Sequence, residues 1–229
     1  LPRAVATRAT IAEKAYRVIK AQIISGALPA GQRLMANLLA GDLDISPTPV
    51  KEALLRLQRD GLVEVESRRW VMVRRFRSTE IEHLYEVRNL IEQHALITAF
   101  ARGQVDATLM VALEQEQRAL LAALDRRTEA GLIDALAHDR MLHARLVTLT
   151  GNPLMIDWHA QVMTQTHTVR VYSPANYTPE LIHAEHGAIL AALGTGDQAG
   201  AQAALRRHLA RSQTDLIERT VQLGEPAPC

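Results

Sequence analysis

The apolar positions of this chain recur mostly at three- and four-residue steps, the spacing of a helix with one buried face. Between Thr10 and Ser25 the positions Ile11, Ala15, Val18, Ile19, Gln22 and Ile23 trace such a face and predict a first helix. Gly26 closes it, and Leu28-Pro29-Ala30-Gly31 reads as a turn. A short second helix is expected over Leu34–Leu43, then a break at Asp44–Ser46. A third helix starts after Ser46, whose hydroxyl can cap free N–H groups. Pro47 and Pro49 lie in its first turn, where a missing N–H costs least. Val50, Ala53, Leu54 and Leu57 form its buried stripe, and Gly61 stops it. Two β-prone runs follow, Leu62–Glu66 and Trp70–Arg74, joined by Ser67-Arg68-Arg69 as a hairpin. Three helices and a hairpin make a winged helix-turn-helix plan over residues 1–74.

Periodicity lapses at Arg74-Arg75-Phe76-Arg77-Ser78, and residues 75–78 are read as a linker. From Thr79 no strand pattern occurs, and six helices are predicted at about 79–101, 105–126, 129–150, 153–172, 179–193 and 197–221. Residues 79–229 then form an all-helical bundle expected to bind an effector and to dimerise. The fold class expected is mainly α, with a small β-hairpin wing.

Charge sharpens this division. The chain has 229 residues and a formal net charge of +1. Residues 1–77 hold 14 Lys/Arg against 7 Asp/Glu, whereas residues 78–229 hold 12 against 18. A basic first part suits a polyanion, and a chance basic face is the alternative. With 48% hydrophobic residues the chain can bury a core, which excludes wholesale disorder. No apolar run approaches the ~18 residues of a membrane span. The single cysteine, Cys229, permits no intramolecular disulfide. A cytoplasmic protein that does not engage a membrane is expected.

The third helix concentrates the candidate DNA-reading residues. A helix N-terminus offers free N–H groups and a positive dipole end to phosphate. Ser46 and Thr48 can donate to phosphate oxygens, and Lys51 can reach a phosphate or a guanine edge. Arg68 and Arg69 at the wing tip can reach the minor groove or backbone. The alternative is a capping Ser46 and solvated Thr48 and Lys51. Leu39-Ala40, then Ser46-x-Thr48-Pro49-Val50-Lys51-Glu52-Ala53-Leu54 and Gly61-Leu62-Val63, resembles the GntR family of bacterial transcription regulators. That resemblance implies a dimer on near-palindromic double-stranded operator DNA. Pro47 and Lys51 replace two arginines of the family pattern, and the wing lacks the usual glycine near Arg69–Trp70. Lysine keeps the charge but not the planar fork.

In the second part, Asp139 and His143 are four apart and project from one helix face, while His186 and His208 lie on two other helices. One carboxylate and three imidazoles suit a divalent metal, and a helix-surface pair is the competing reading. Leu84-Tyr85-Glu86-Val87-Arg88-x-x-Ile91-Glu92, Asp139-x-x-Leu142-His143, Gly151-Asn152-Pro153, Glu185-His186 and His208-Leu209 are similar to the FCD (FadR C-terminal domain) branch of the same family. The resemblance runs from about Ala15 to Leu216. It implies that Asp139, His143, His186 and His208 ligate one ion, zinc first, with nickel, iron or manganese compatible. Leu142 stands where the branch usually has Phe.

An octahedral ion with four protein ligands keeps two positions for a small carboxylic acid. Arg88 is the candidate carboxylate clamp, or else a structural ion pair. Asn152 is a further effector candidate, or a helix cap. His183 can face the same cavity, whereas His138 points elsewhere. The expected function is a metabolite-responsive regulator, in the family's commoner mode a repressor relieved by its effector, and not an enzyme. Its rivals are an acyl-CoA-type sensor without metal, a metal-dependent enzyme, and a purely structural ion.

Overall fold

The computed structural model describes residues 10–67, 70–172 and 177–224. The chain divides into two compact units, Leu1–Arg74 and Arg75–Cys229.

In the first unit, α1 spans Ile11–Ile24, and the Thr10 hydroxyl caps it by accepting from Glu13 N–H at 3.1 Å. Its buried residues Ala15, Ile19 and Ile23 repeat every four positions. α2 is Ala36–Asp42 and α3 is Pro47–Arg59. Between them Asp44 takes a left-handed conformation, φ 52°, which turns the chain between the two helices. The expected second helix began at Leu34. Instead Arg33–Leu34 forms a short strand, β1, and the helix starts two residues later. A two-residue strand carries no alternation of its own. It exists because β3 (Trp70–Val73) supplies its partners, Arg33 opposite Met72 and Leu34 opposite Val71. β2 (Val63–Ser67) pairs on the other edge of β3, with Val63 opposite Val73, giving the antiparallel order β1-β3-β2. Ile19, Ile23, Leu34, Val50, Leu57, Leu62 and Val73 meet in one apolar core.

Among the described residues the elements of the second unit are all helices: α4 Ser78–Ala101, α5 Ala107–Asp125, α6 Glu129–Thr148, α7 Pro153–Tyr172, α8 Pro179–Gly194 and α9 Gln198–Gln222. Asp106, Thr128, Thr178 and Asp197 each cap the helix that follows with a side-chain oxygen. Gly131, in the first turn of α6, packs against the end of α5, where an added Cβ would lie 2.6 Å from the Ala123 carbonyl oxygen, so only glycine fits. In the stretch read as a linker, Phe76 is buried in this unit's core beside Ile81 and Tyr85. Ser78 is already the first residue of α4, and Arg77 N–H is satisfied by the Glu80 carboxylate at 2.9 Å. α4 packs on α6, α7 and α9, and α8 on α5 and α9. No described helix is long and apolar enough to cross a membrane.

Candidate metal centre and DNA-reading helix

α6 brings Asp139 and His143 inward one turn apart, α8 contributes His186 and α9 His208. All four are buried, and one ligand atom from each lies within 4.8 Å of the others. Asp139 Oδ1 is 3.4 Å from His186 Nε2 and 3.9 Å from His143 Nε2. The His143 and His208 rings stack at 5.3 Å, and the His186 and His208 rings meet edge-on at 4.8 Å. Asp139 Oδ1, His143 Nε2 and His186 Nε2 are buried without a hydrogen-bond partner. Polar atoms in that condition each cost roughly 1–3 kcal/mol. A cation bound among them would remove that penalty, and the donor set, one carboxylate with three imidazoles, is that of a divalent transition metal.

Outer partners orient these rings, as at metal sites generally. His143 Nδ1 lies 2.6 Å from Glu92 Oε2, and His208 Nδ1 lies 2.8 Å from Glu185 Oε2. Each ring therefore turns Nε2 away from its carboxylate. Arg211 holds Glu185 in turn through Nη2 at 2.9 Å. The second oxygen of Asp139 lies 3.3 Å from His167 Nε2.

The electrostatics keep the cluster ready for a cation. Burial alone would raise the Asp139 carboxyl, but the hydrogen bond from His167 and the fields of His143 and His186 hold it well below the usual range. Burial and the adjacent His208 push His186 well down. Burial also lowers His208, against the pull of Glu185. His167 falls to about 4, again through burial. Deprotonated imidazoles and an ionised carboxylate are the forms that bind metal.

Arg88 makes the structural ion pair weighed as its alternative role. It is fully buried, and its Nε donates to Glu92 at 2.6 Å, the structural ion pair. Its Nη2 remains buried without an acceptor, so a donor is left for an anion. Burial works against its charge, and Glu92, Tyr85 and Asp139 more than offset that cost.

Asn152 does not join the cluster. It is exposed, and its Oδ1 accepts from Leu154 N–H at 3.1 Å, the work of a cap on α7. His183 is exposed, contrary to its expected inward position. His138 points to Glu116 at 2.9 Å, as its place beside Asp139 implied. Sequence reading missed the polar groups that α4 and α7 add. Glu92 also meets His159 Nε2 at 3.0 Å, and α7 contributes the buried His167 and Arg170. Only Glu92 carried a signal, four residues after Arg88 on one face.

In the first unit, Ser46 occupies the N-cap of α3 with extended backbone, yet its hydroxyl makes no capping bond. Thr48 and Lys51 are exposed on the first turns of the same helix. Three candidate DNA-facing groups are thus open at a positive dipole end. Arg68 and Arg69 lie outside the described residues.

Comparison with known proteins agrees with both units. The family model described as bacterial regulatory proteins, gntR family, matches residues 11–73, and the FCD domain matches residues 82–211. The chain belongs to the FCD branch of the GntR family of bacterial transcription regulators. It is 32% identical over 134 residues to an HTH-type transcriptional regulator of the TAR-I ttuE-ttuC' intergenic region of Agrobacterium vitis, covering 58% of this chain and 77% of that one. It is 22% identical over 198 residues to the HTH-type transcriptional repressor RspR of Escherichia coli, covering 86% and 85%. The solved structure of Escherichia coli McbR/YncC superposes with a TM-score of 0.76 at 21% identity, covering 92% of this chain and 99% of that one. That likeness shows the fold.

Proposed function

We propose that this regulator is a metal-dependent sensor of a small carboxylic acid and acts as a homodimeric repressor on operator DNA. The observation that carries the reading is the convergence of Asp139, His143, His186 and His208, with three of their polar atoms buried and unpartnered. These four residues hold the ion, with zinc the first choice and nickel, iron or manganese compatible with the same donors. Held by these four residues, such an ion would supply Lewis-acid binding to the carboxylate of the acid. Arg88 Nη2 donates to the same carboxylate, while Glu92 holds the guanidinium through Nε. Glu92 and Glu185 fix the rings of His143 and His208.

Ser46, Thr48 and Lys51 dock α3 on DNA, with Arg68 and Arg69 extending the contact from the wing. A dimer places two such helices on adjacent half-sites. The exposed Leu90 and Ile97 of α4 and Leu154 and Trp158 of α7 are apolar surface available for it. The acid acts by binding unequally to arrangements of the two DNA-binding units that differ in operator affinity.

The test is a thermal-shift screen of short carboxylic acids on metal-loaded and chelator-stripped protein, with light scattering of both forms for the dimer. A ligand at ~100 times its dissociation constant stabilises by about 2.7 kcal/mol. One acid should raise the melting temperature of the loaded protein and leave the stripped protein unmoved. Equal shifts in both forms would remove the metal from the sensing step.

A further inference from the structure

Apolar side chains from separate segments of the first unit converge beside the first turns of α3. On α3 itself Lys51, Leu55 and Gln58 are exposed and, at steps of four and three, share one face. Leu55 is 58% exposed. Met35, at the N-cap of α2 where its side chain makes no capping bond, is 45% exposed, and Val65 of β2 is 48% exposed. With Trp70 of β3 these residues line one groove. Among the described residues that line it, Lys51 carries the only charge.

Single exposed apolar side chains are ordinary on a protein surface, but a cluster calls for a partner. This cluster shares the face of α3 that carries Lys51, where a polyanion is expected. A leucine or methionine side chain gives a phosphate neither charge nor a hydrogen bond. It also cannot pair with the donors and acceptors that base edges present in the major groove. The apolar group on those edges is the C5-methyl of thymine.

We propose that Leu55, with Met35 beside it, reads thymine methyl groups in the operator. The proposal rests on the docking of α3 on DNA and adds which base the docked helix selects. Lys51 contributes charge, which any sequence satisfies, whereas Leu55 contributes only where a methyl meets it. Four residues of helix advance the contact by about 6 Å, close to two base-pair steps of about 3.4 Å. The preferred thymine therefore lies about two steps from the Lys51 contact.

The test uses the full-length protein and a 30-base-pair duplex that it selects from a randomised pool. The duplex is then made with thymine or with uracil, which pairs alike and lacks only the methyl, and both are titrated by fluorescence anisotropy. Burying one methyl is worth about fourfold in affinity, so two half-sites should give about fifteenfold weaker binding of the uracil duplex. Leu55→Ala should bind the thymine duplex about as weakly as the wild type binds the uracil duplex, and should no longer distinguish the two. Leu55→Met should keep the preference. Lys51→Ala should weaken both duplexes and leave their ratio as it was. Equal binding of the two duplexes by the wild type overturns the proposal and leaves the docking of α3 standing. So does a preference that survives in Leu55→Ala. If Leu55→Ala also lowers the mass in light scattering while that preference survives, the groove belongs to a second copy of the chain instead. Failure to select any duplex removes the docking reading and this proposal together.

Discussion

In the unit that ends at Arg74 the fully buried side chains are apolar, from Ile19 and Ile23 through Leu57 to Val73, and the polar groups that matter stand outside. In the unit from Arg75 onward the interior is mixed. Among the described residues, every buried polar or charged side chain of the protein lies there, beginning at Arg88. The first unit gains its stability from apolar burial and leaves its candidate DNA-facing residues exposed on α3. The second sets two arginines, four acids and five histidines inside a helix bundle, where each charge requires a partner. A DNA-reading surface makes no demand on the core beneath it. A sensor site buried as proposed would be part of its own core, so its function and its stability would depend on the same residues.

That contrast can be broken most forcefully at Glu92. Removing it in Glu92→Ala leaves Arg88 buried without its carboxylate and takes the acceptor from both His143 and His159. Loss of one partner of a buried pair costs about 3–5 kcal/mol. Thermal unfolding should show a large fall in the melting of the second unit. The first unit's operator affinity per folded domain should be unchanged, and a wild-type melting profile would contradict the pairing described.

Acid should separate the units next. His167, His186 and His208 have folded pKa values below the unfolded value of ~6.5, because burial disfavours their charge. As pH falls below ~6.5 the unfolded chain takes up protons that the folded metal-free site refuses. Stability therefore declines through the window down to about 4, where His167 finally titrates. Each such group contributes a slope of about 1.4 kcal/mol per pH unit. Chemical denaturation of the metal-free protein between pH 7 and 5 should show this loss in the helical unit. A flat profile would mean that these imidazoles are solvated.

The smallest effect is expected at Lys51. Lys51→Ala removes one cation from an exposed turn of α3 and touches no core residue. Operator affinity should drop modestly, and its salt slope should flatten by about one unit. Zinc content and effector binding should stay as they were. An unchanged titration removes Lys51 from the contact surface.

The helical faces of α1 and α3 were legible because one side of each is apolar and the other is not. The same logic fails for α7. Val162, Met163, Thr164, Thr166, His167, Thr168, Val169 and Arg170 are all buried, so no polar face marks which side turns inward. The threonines tolerate burial because their hydroxyls bond back to carbonyls four residues earlier, Thr164 to Ala160 and Thr168 to Thr164. That local satisfaction hides a buried helix behind a polar sequence, and with it His159, His167 and Arg170. β1 was invisible for the opposite reason: two residues hold no period, and only pairing to β3 makes them a strand.

The order of helices, the boundary near Arg74 and the four Asp and His positions follow from local pattern, spacing and family resemblance. These depend on near neighbours in the chain, where the helix period and the turn residues act. Which polar atoms meet inside the bundle is a matter of tertiary structure. Only packing brings Glu92 onto His143 and His159, gives Arg88 an ion pair and a spare donor at once, and assigns Asn152 to a cap. The contacts of Glu92 with His143 and His159 join residues more than fifty positions apart, and an interior of low polarity makes each unsatisfied polar group costly.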